Sequence, residues 1–165
     1  MAITEAMTNV AQHAYPDPQK DIDIYQAWWM SGSFDTQTRL LTVMFYDQGV
    51  TIPASLPQSK LWGAIKGMIN PGSTDGEQIS AAFEVGRSRT KEAHRGKGVA
   101  QLLHPLHVCS RGALRIISRR GVYVSNCENG QMECEVSNTK SALEGTFIEW
   151  KLYLAKGDVH ECVEN

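Results

Sequence analysis

The chain has 165 residues, of which 42% are hydrophobic and 21% charged, an ordinary globular composition that excludes a disordered or fibrous protein. Its formal net charge of −2 and pI near 6.2 exclude the global positive field that non-specific nucleic-acid binding requires, so no nucleic-acid partner is expected. No apolar run approaches the ~20 residues of a membrane span, and none is expected within the chain.

By length, residues 1–165 form one domain. Met1 stands directly against a helix-like segment with no entry strand, the arrangement expected of a piece lacking an upstream element. Cys109, Cys127, Cys134 and Cys162 include no CxxC pair and have no histidine at zinc-finger spacing. Reduced thiols and a cytoplasmic location are expected.

In chain order, the first pattern is "AITEAMTNVAQHA". At about 100° per residue, Ile3, Met7, Val10 and Ala14 share one face of a helix, and Glu5, Asn9 and His13 share another. "YPDP" ends that helix near residue 14. "DIDIYQAWWM" and "TRLLTVMFYDQG" read as two strands joined by a turn in "SGSFDTQ", and their apolar density suggests central positions in a sheet. Trp28, Trp29, Phe45 and Tyr46 fit core or sheet-face packing better than base stacking.

Residues 50–95 are rich in Gly, Pro and Ser, with short helical pieces expected around 58–69 and 76–84. A long irregular segment of this kind usually serves as a lid. Its end, "GRSRTKEAHRGKG", gathers Arg87, Arg89, Lys91, His94, Arg95 and Lys97. "GKGVAQLLHPLHVCSRG" predicts a helix opening on glycines and kinked or divided at Pro105. "ALRIIS", "GVYVSNC", "MECEVS" and "GTFIEWKLYL" predict three or four strands, with Asn129-Gly130 as a hairpin turn that sets Cys134 opposite Ser125. The order predicts an α+β chain, a two-layer α/β sandwich with a mixed, mostly antiparallel sheet and helices on one face.

Four separated pieces carry polar or glycine positions suited to a ligand. These are the Glu5/Asn9/His13 stripe, Asp47-Gln48-Gly49 at a strand end, Gly96-Lys97-Gly98 at a helix start, and Gly145-Thr146 opening the last strand. Taken in this order, they resemble the nucleotide-binding boxes of the histidine kinase-like (GHKL) ATPase superfamily, which includes gyrase and sensor histidine kinases. "EAMTNVAQHAY" is similar to the N box, closest to that of anti-sigma-factor serine kinases. "YDQGVTIP" and "HRGKGVAQLL" are similar to the two glycine boxes, and "EGTFIEWKL" to the terminal Gly-Thr box. Thr51 stands where the first glycine box has its second glycine, and Lys97-Gly98-Val99 replaces Leu-Gly-Leu in the second.

The resemblance implies a Bergerat-type ATP-binding fold with ATP and Mg²⁺ as cofactors and residues 54–95 as the ATP lid. It implies that Asn9 ligates Mg²⁺, as suits a hard cation that keeps few protein ligands, and that Glu5 is the catalytic base one turn earlier. His13 meets a phosphate or the lid. Asp47 and Gly49 meet the adenine, and Thr146 supports that contact. Arg95, Gly96, Lys97 and Gly98 meet the phosphates at a helix start.

The expected activity is ATP hydrolysis or transfer of the γ-phosphate to a protein partner, a phosphoacceptor or regulated factor. A homodimer is compatible with this reading. The alternative is a non-catalytic module in which nucleotide gates a protein-binding surface.

Overall fold

A computed structural model describes residues 2–15, 27–89 and 97–155. The chain is α+β. Four strands, β1 (Trp28–Asp35), β2 (Leu40–Asp47), β3 (Arg111–Glu128) and β4 (Gln131–Tyr153), form one sheet in the order β1-β2-β4-β3. Every pairing between them is antiparallel, rather than mixed as the sequence suggests.

The helices are α1 (Ala2–Asn9), α2 (Ile52–Ser55), α3 (Trp62–Lys66), α4 (Asp75–Arg89) and α5 (Lys97–Cys109). α4 and α5 pack on β3 and β4, and α1 lies beside α5. Ala6 and Val10 from the first helix, Phe83 from α4, Leu103 and Leu106 from α5, and Phe45, Ile116, Ile148 and Trp150 from the sheet share one core. The Trp150 indole N–H donates to the Leu102 carbonyl (2.9 Å), fixing α5 to the sheet.

Several elements differ from their sequence reading for identifiable reasons. The first helix continues to residue 14, but Val10–Ala14 is a π turn. Its i→i+5 bonds end the α-helical spacing that sets His13 one turn beyond Asn9. The first strand does not turn at Ser31 but runs to Asp35, whose Oδ1 accepts from the amides of Gln37 (2.8 Å) and Thr38 (3.3 Å).

β1 is an edge strand rather than a central one; of the two predicted strands of this hairpin, β2 lies between two partners, β1 and β4. The Trp28 and Trp29 rings stack on Phe45 and Tyr46 (centroids 5.3 and 5.7 Å apart), covering β2 while staying partly exposed themselves. The part of the predicted strand before residue 27 lies outside the described residues.

The Gly/Pro/Ser-rich stretch holds α2, a 3-10 turn at Leu56–Gln58, α3 and α4. α4 starts within a residue of its predicted start, where Thr74 and Glu77 form a capping box, and runs on to Arg89, past its predicted end. Thr74 N–H donates to Glu77 Oε2 (2.7 Å), and Glu77 N–H donates to Thr74 Oγ1 (3.4 Å). Leu56, Ile65, Ala81 and Val85 form a second small core that holds this stretch together.

α5 passes through Pro105 undivided, because Leu102, Leu103 and Leu106 on either side are buried in the main core. The tail is two long strands, not three or four short ones. A bulge at Ser118–Gly121, with Arg119 at φ 55°, flips the side-chain alternation. Leu114, Ile116 and Ser118 before the bulge and Tyr123, Ser125 and Cys127 after it are therefore all buried. The Asn129-Gly130 turn has φ values of 52° and 78°, and Cys134 does face Ser125.

Candidate functional site

The register of the sheet aligns two rows of inward-facing residues. Asp47 pairs with Thr146, which pairs with Ser118; two residues along, Phe45 pairs with Ile148, which pairs with Ile116. The apolar row and Asp47 and Thr146 from the polar row form part of the wall of a cavity of about 260 Å³. Glu5 and Asn9 from α1, Gly98 and Leu102 from α5, and Phe83 from α4 complete the far side. Ile52, Leu56, Leu61 and Ile65 also line the cavity.

Asp47 is 6% exposed and is held in place by backbone donors. Its Oδ1 accepts from Gly49 N–H (2.9 Å), and the Thr146 amide also donates to the carboxylate. Desolvation by burial pushes its pKa up to about 6, against the pull of these two bonds. A carboxylate has roughly four lone-pair positions, so acceptor capacity remains for a ligand.

Gly145 has φ +82°, and a Cβ there would strike the Asp47 carbonyl, so the Gly-Thr pair is required by the close approach of the two strands. At Gly49 a Cβ would overlap Ala14, and the adjoining Val50 N–H donates to the Ala14 carbonyl (2.7 Å). The segment after β2 is thereby tied to the end of the first helix. Thr51 has φ −69° and ψ 155°, ordinary extended backbone that needs no glycine.

Across the cavity, a Cβ at Gly98 would run into the Glu5 carboxylate. Gly98 thus makes room for an acidic side chain at the first turn of α5, where the helix dipole favours negative charge. Among the described residues no group of three or more His, Cys, Asp and Glu could hold a metal ion.

Of the residues singled out in the sequence, Glu5, Asn9, Asp47, Gly98 and Thr146 meet at one cavity, and Gly49 holds Asp47 from just outside it. Arg95 and Gly96 lie outside the described residues, as do the side chains of His13 and Lys97. The apolar wall from Phe45, Phe83 and Ile148, and Ser118 behind Thr146, are absent from the sequence motifs. Ser118 had a sequence signal: it continues the inward alternation of Leu114 and Ile116, where a hydroxyl needs buried partners.

No protein-family model matches the chain, and no curated protein matches it. Among the described residues no helix is long and apolar enough to cross a membrane.

Proposed function

We propose that the chain is a Mg·ATP-binding domain of the GHKL type, with a Bergerat-type fold, that hydrolyses ATP or transfers its γ-phosphate to a protein partner. The observation that carries this reading is convergence. Residues from four segments far apart in sequence, each resembling part of a nucleotide-binding box, line a single cavity together with an apolar row from the sheet.

Each group suits its role. The buried Asp47 carboxylate is an acceptor for the amino group of a purine, and the flat apolar row Phe45–Ile148–Ile116 suits the base. The amide oxygen of Asn9 is a hard neutral donor for Mg²⁺, which when bound neutralises phosphate charge. Glu5, one α-helical turn before Asn9, is placed to take the proton of an attacking hydroxyl or water. The first turn of α5, where Gly98 leaves room beside the Glu5 carboxylate, suits a phosphate whose charge Mg²⁺ would offset. α2, α3 and the second small core form the cover over the base end, corresponding to the lid.

The test is calorimetric titration with ADP, with and without Mg²⁺, of the parent, Asn9→Ala and Glu5→Ala proteins. Mg²⁺-dependent binding that Asn9→Ala weakens and Glu5→Ala retains, with turnover lost in Glu5→Ala, is expected. No ADP binding by the parent contradicts the assignment. Binding without any hydrolysis or transfer by the parent selects the nucleotide-gated module instead.

A further inference from the structure

The Asp47–Thr146 wall is backed by a residue that does not itself line the cavity. Ser118 is fully buried (0% exposed) and lies on β3 directly opposite Thr146 of β4. Its Oγ accepts from the Ile52 N–H (2.8 Å), stands 2.9 Å from Thr146 Oγ1 and donates to the Gly145 carbonyl (3.2 Å). One hydroxyl thus joins the start of α2, the strand opening and the cavity wall.

The hydrogens in this cluster can be assigned by counting. A serine hydroxyl has one hydrogen and two lone pairs. The Gly145 carbonyl can only accept, so its contact uses the Ser118 hydrogen. The Ile52 N–H occupies one Ser118 lone pair. The other lone pair remains for Thr146, and only the Thr146 hydroxyl hydrogen can fill it. In the opposite arrangement Ser118 donates to Thr146 and its contact with the Gly145 carbonyl has no hydrogen, which buried polar groups rarely tolerate.

We propose that Ser118 is a positioning residue that turns the Thr146 hydroxyl hydrogen into the sheet, so that Asp47 and Thr146 together present only acceptors to the ligand and select a base carrying an exocyclic amino group. The inference rests on the nucleotide reading of the cavity. Two acceptors side by side match the two N–H bonds of an amino group. They repel a keto oxygen at the same position, which would need a donor from the wall. Because the same hydroxyl binds Ile52, base selection and the seating of α2 depend on one side chain.

The experiment compares the affinities of ADP and inosine diphosphate, which differ at this position as amino against keto, in the parent, Ser118→Ala, Ser118→Cys and Thr146→Val proteins. The parent is expected to prefer ADP. Ser118→Ala frees the Thr146 hydroxyl to turn and donate, and is expected to lose about tenfold of that preference, the worth of roughly one neutral hydrogen bond. Ser118→Cys keeps the side-chain shape while weakening all three bonds, so the same loss is expected even where the alanine variant fails to fold.

Thr146→Val leaves Ser118 bound to Ile52 and Gly145. Adding Ser118→Ala to it is expected to cause no further loss of preference, a non-additivity that a purely structural role would not produce. Folded Ser118 variants with the parent's ratio, or a parent that binds both nucleotides equally, overturn the inference while leaving the nucleotide reading intact. A parent that binds neither overturns the nucleotide reading itself.

Discussion

Asp47 is buried to 6% exposure with its pKa raised to about 6, so its ionised form is disfavoured in the folded chain. A carboxyl whose folded pKa lies above its unfolded value binds its proton more tightly when folded. Its contribution to stability is therefore greatest below about pH 4 and declines as pH rises from about 4 to about 6, by about 3 kcal/mol in total at 1.36 kcal/mol per unit.

A ligand amino group at the carboxylate offsets part of that cost, so affinity for ADP is expected to hold above pH 6 and to fall about tenfold per unit below it as Asp47 protonates. Titrations between pH 4.5 and 8 check this, and a flat profile contradicts the role of Asp47. Asp47→Asn places an amide N–H₂ among donors that now face a carboxylate, at Gly49 and Thr146, and is expected to weaken ADP at least about a hundredfold, with the pH dependence gone.

At Gly145, substitution by alanine meets both the positive φ and the Asp47 backbone. A loss of at least about 2 kcal/mol is expected in denaturant unfolding, larger than for ordinary surface changes.

The elements show which sequence signals carry through to structure and which do not. The capping box at Thr74 and Glu77 fixes the start of α4, and Thr74→Ala is expected to cost about 1 kcal/mol of unfolding free energy. The Asn129-Gly130 turn and the Ser125–Cys134 pairing are readable because a two-residue turn sets register locally.

Pro105 does not divide α5, because a local rule competes with burial. The rule breaks helices at proline, but Leu102, Leu103 and Leu106 are buried around it and hold one continuous α5. Pro105→Ala is expected to raise stability by about 1 kcal/mol or more, since it restores a backbone bond without disturbing those contacts. A lower melting temperature contradicts that account.

The edge position of β1 and the union of the tail segments into two strands are not legible in sequence. Both are settled by pairing across the sheet, and the bulge at Arg119, which moves the inward-facing positions from even to odd residues, is defined only by the register with β4. The same holds for the site. The polar and glycine positions stand out in sequence, whereas Phe45, Phe83 and Ile148 read as ordinary core residues, and the inward alternation that marks Ser118 shows a partner only once the register sets it against Thr146.

At the scale of the whole molecule, the cavity lies where the sheet, α1, α5 and the covering helices meet, so a ligand there touches every layer of the fold. Binding to the folded state alone stabilises it by about 2.7 kcal/mol at a hundredfold excess over Kd. Mg·ADP is therefore expected to raise the melting temperature by roughly 5 to 10 °C for a chain of this size, with most of the rise lost in Asp47→Asn.

The most direct test of the convergence of four sequence segments on one nucleotide site is an amide chemical-shift titration with Mg·ADP. Shifts at Glu5, Asn9, Gly49, Gly98 and Thr146 that saturate together with one Kd, with β1 residues Gly32 and Ser33 unmoved, are the predicted result. No saturating shifts, or shifts that leave these residues in place, contradict it.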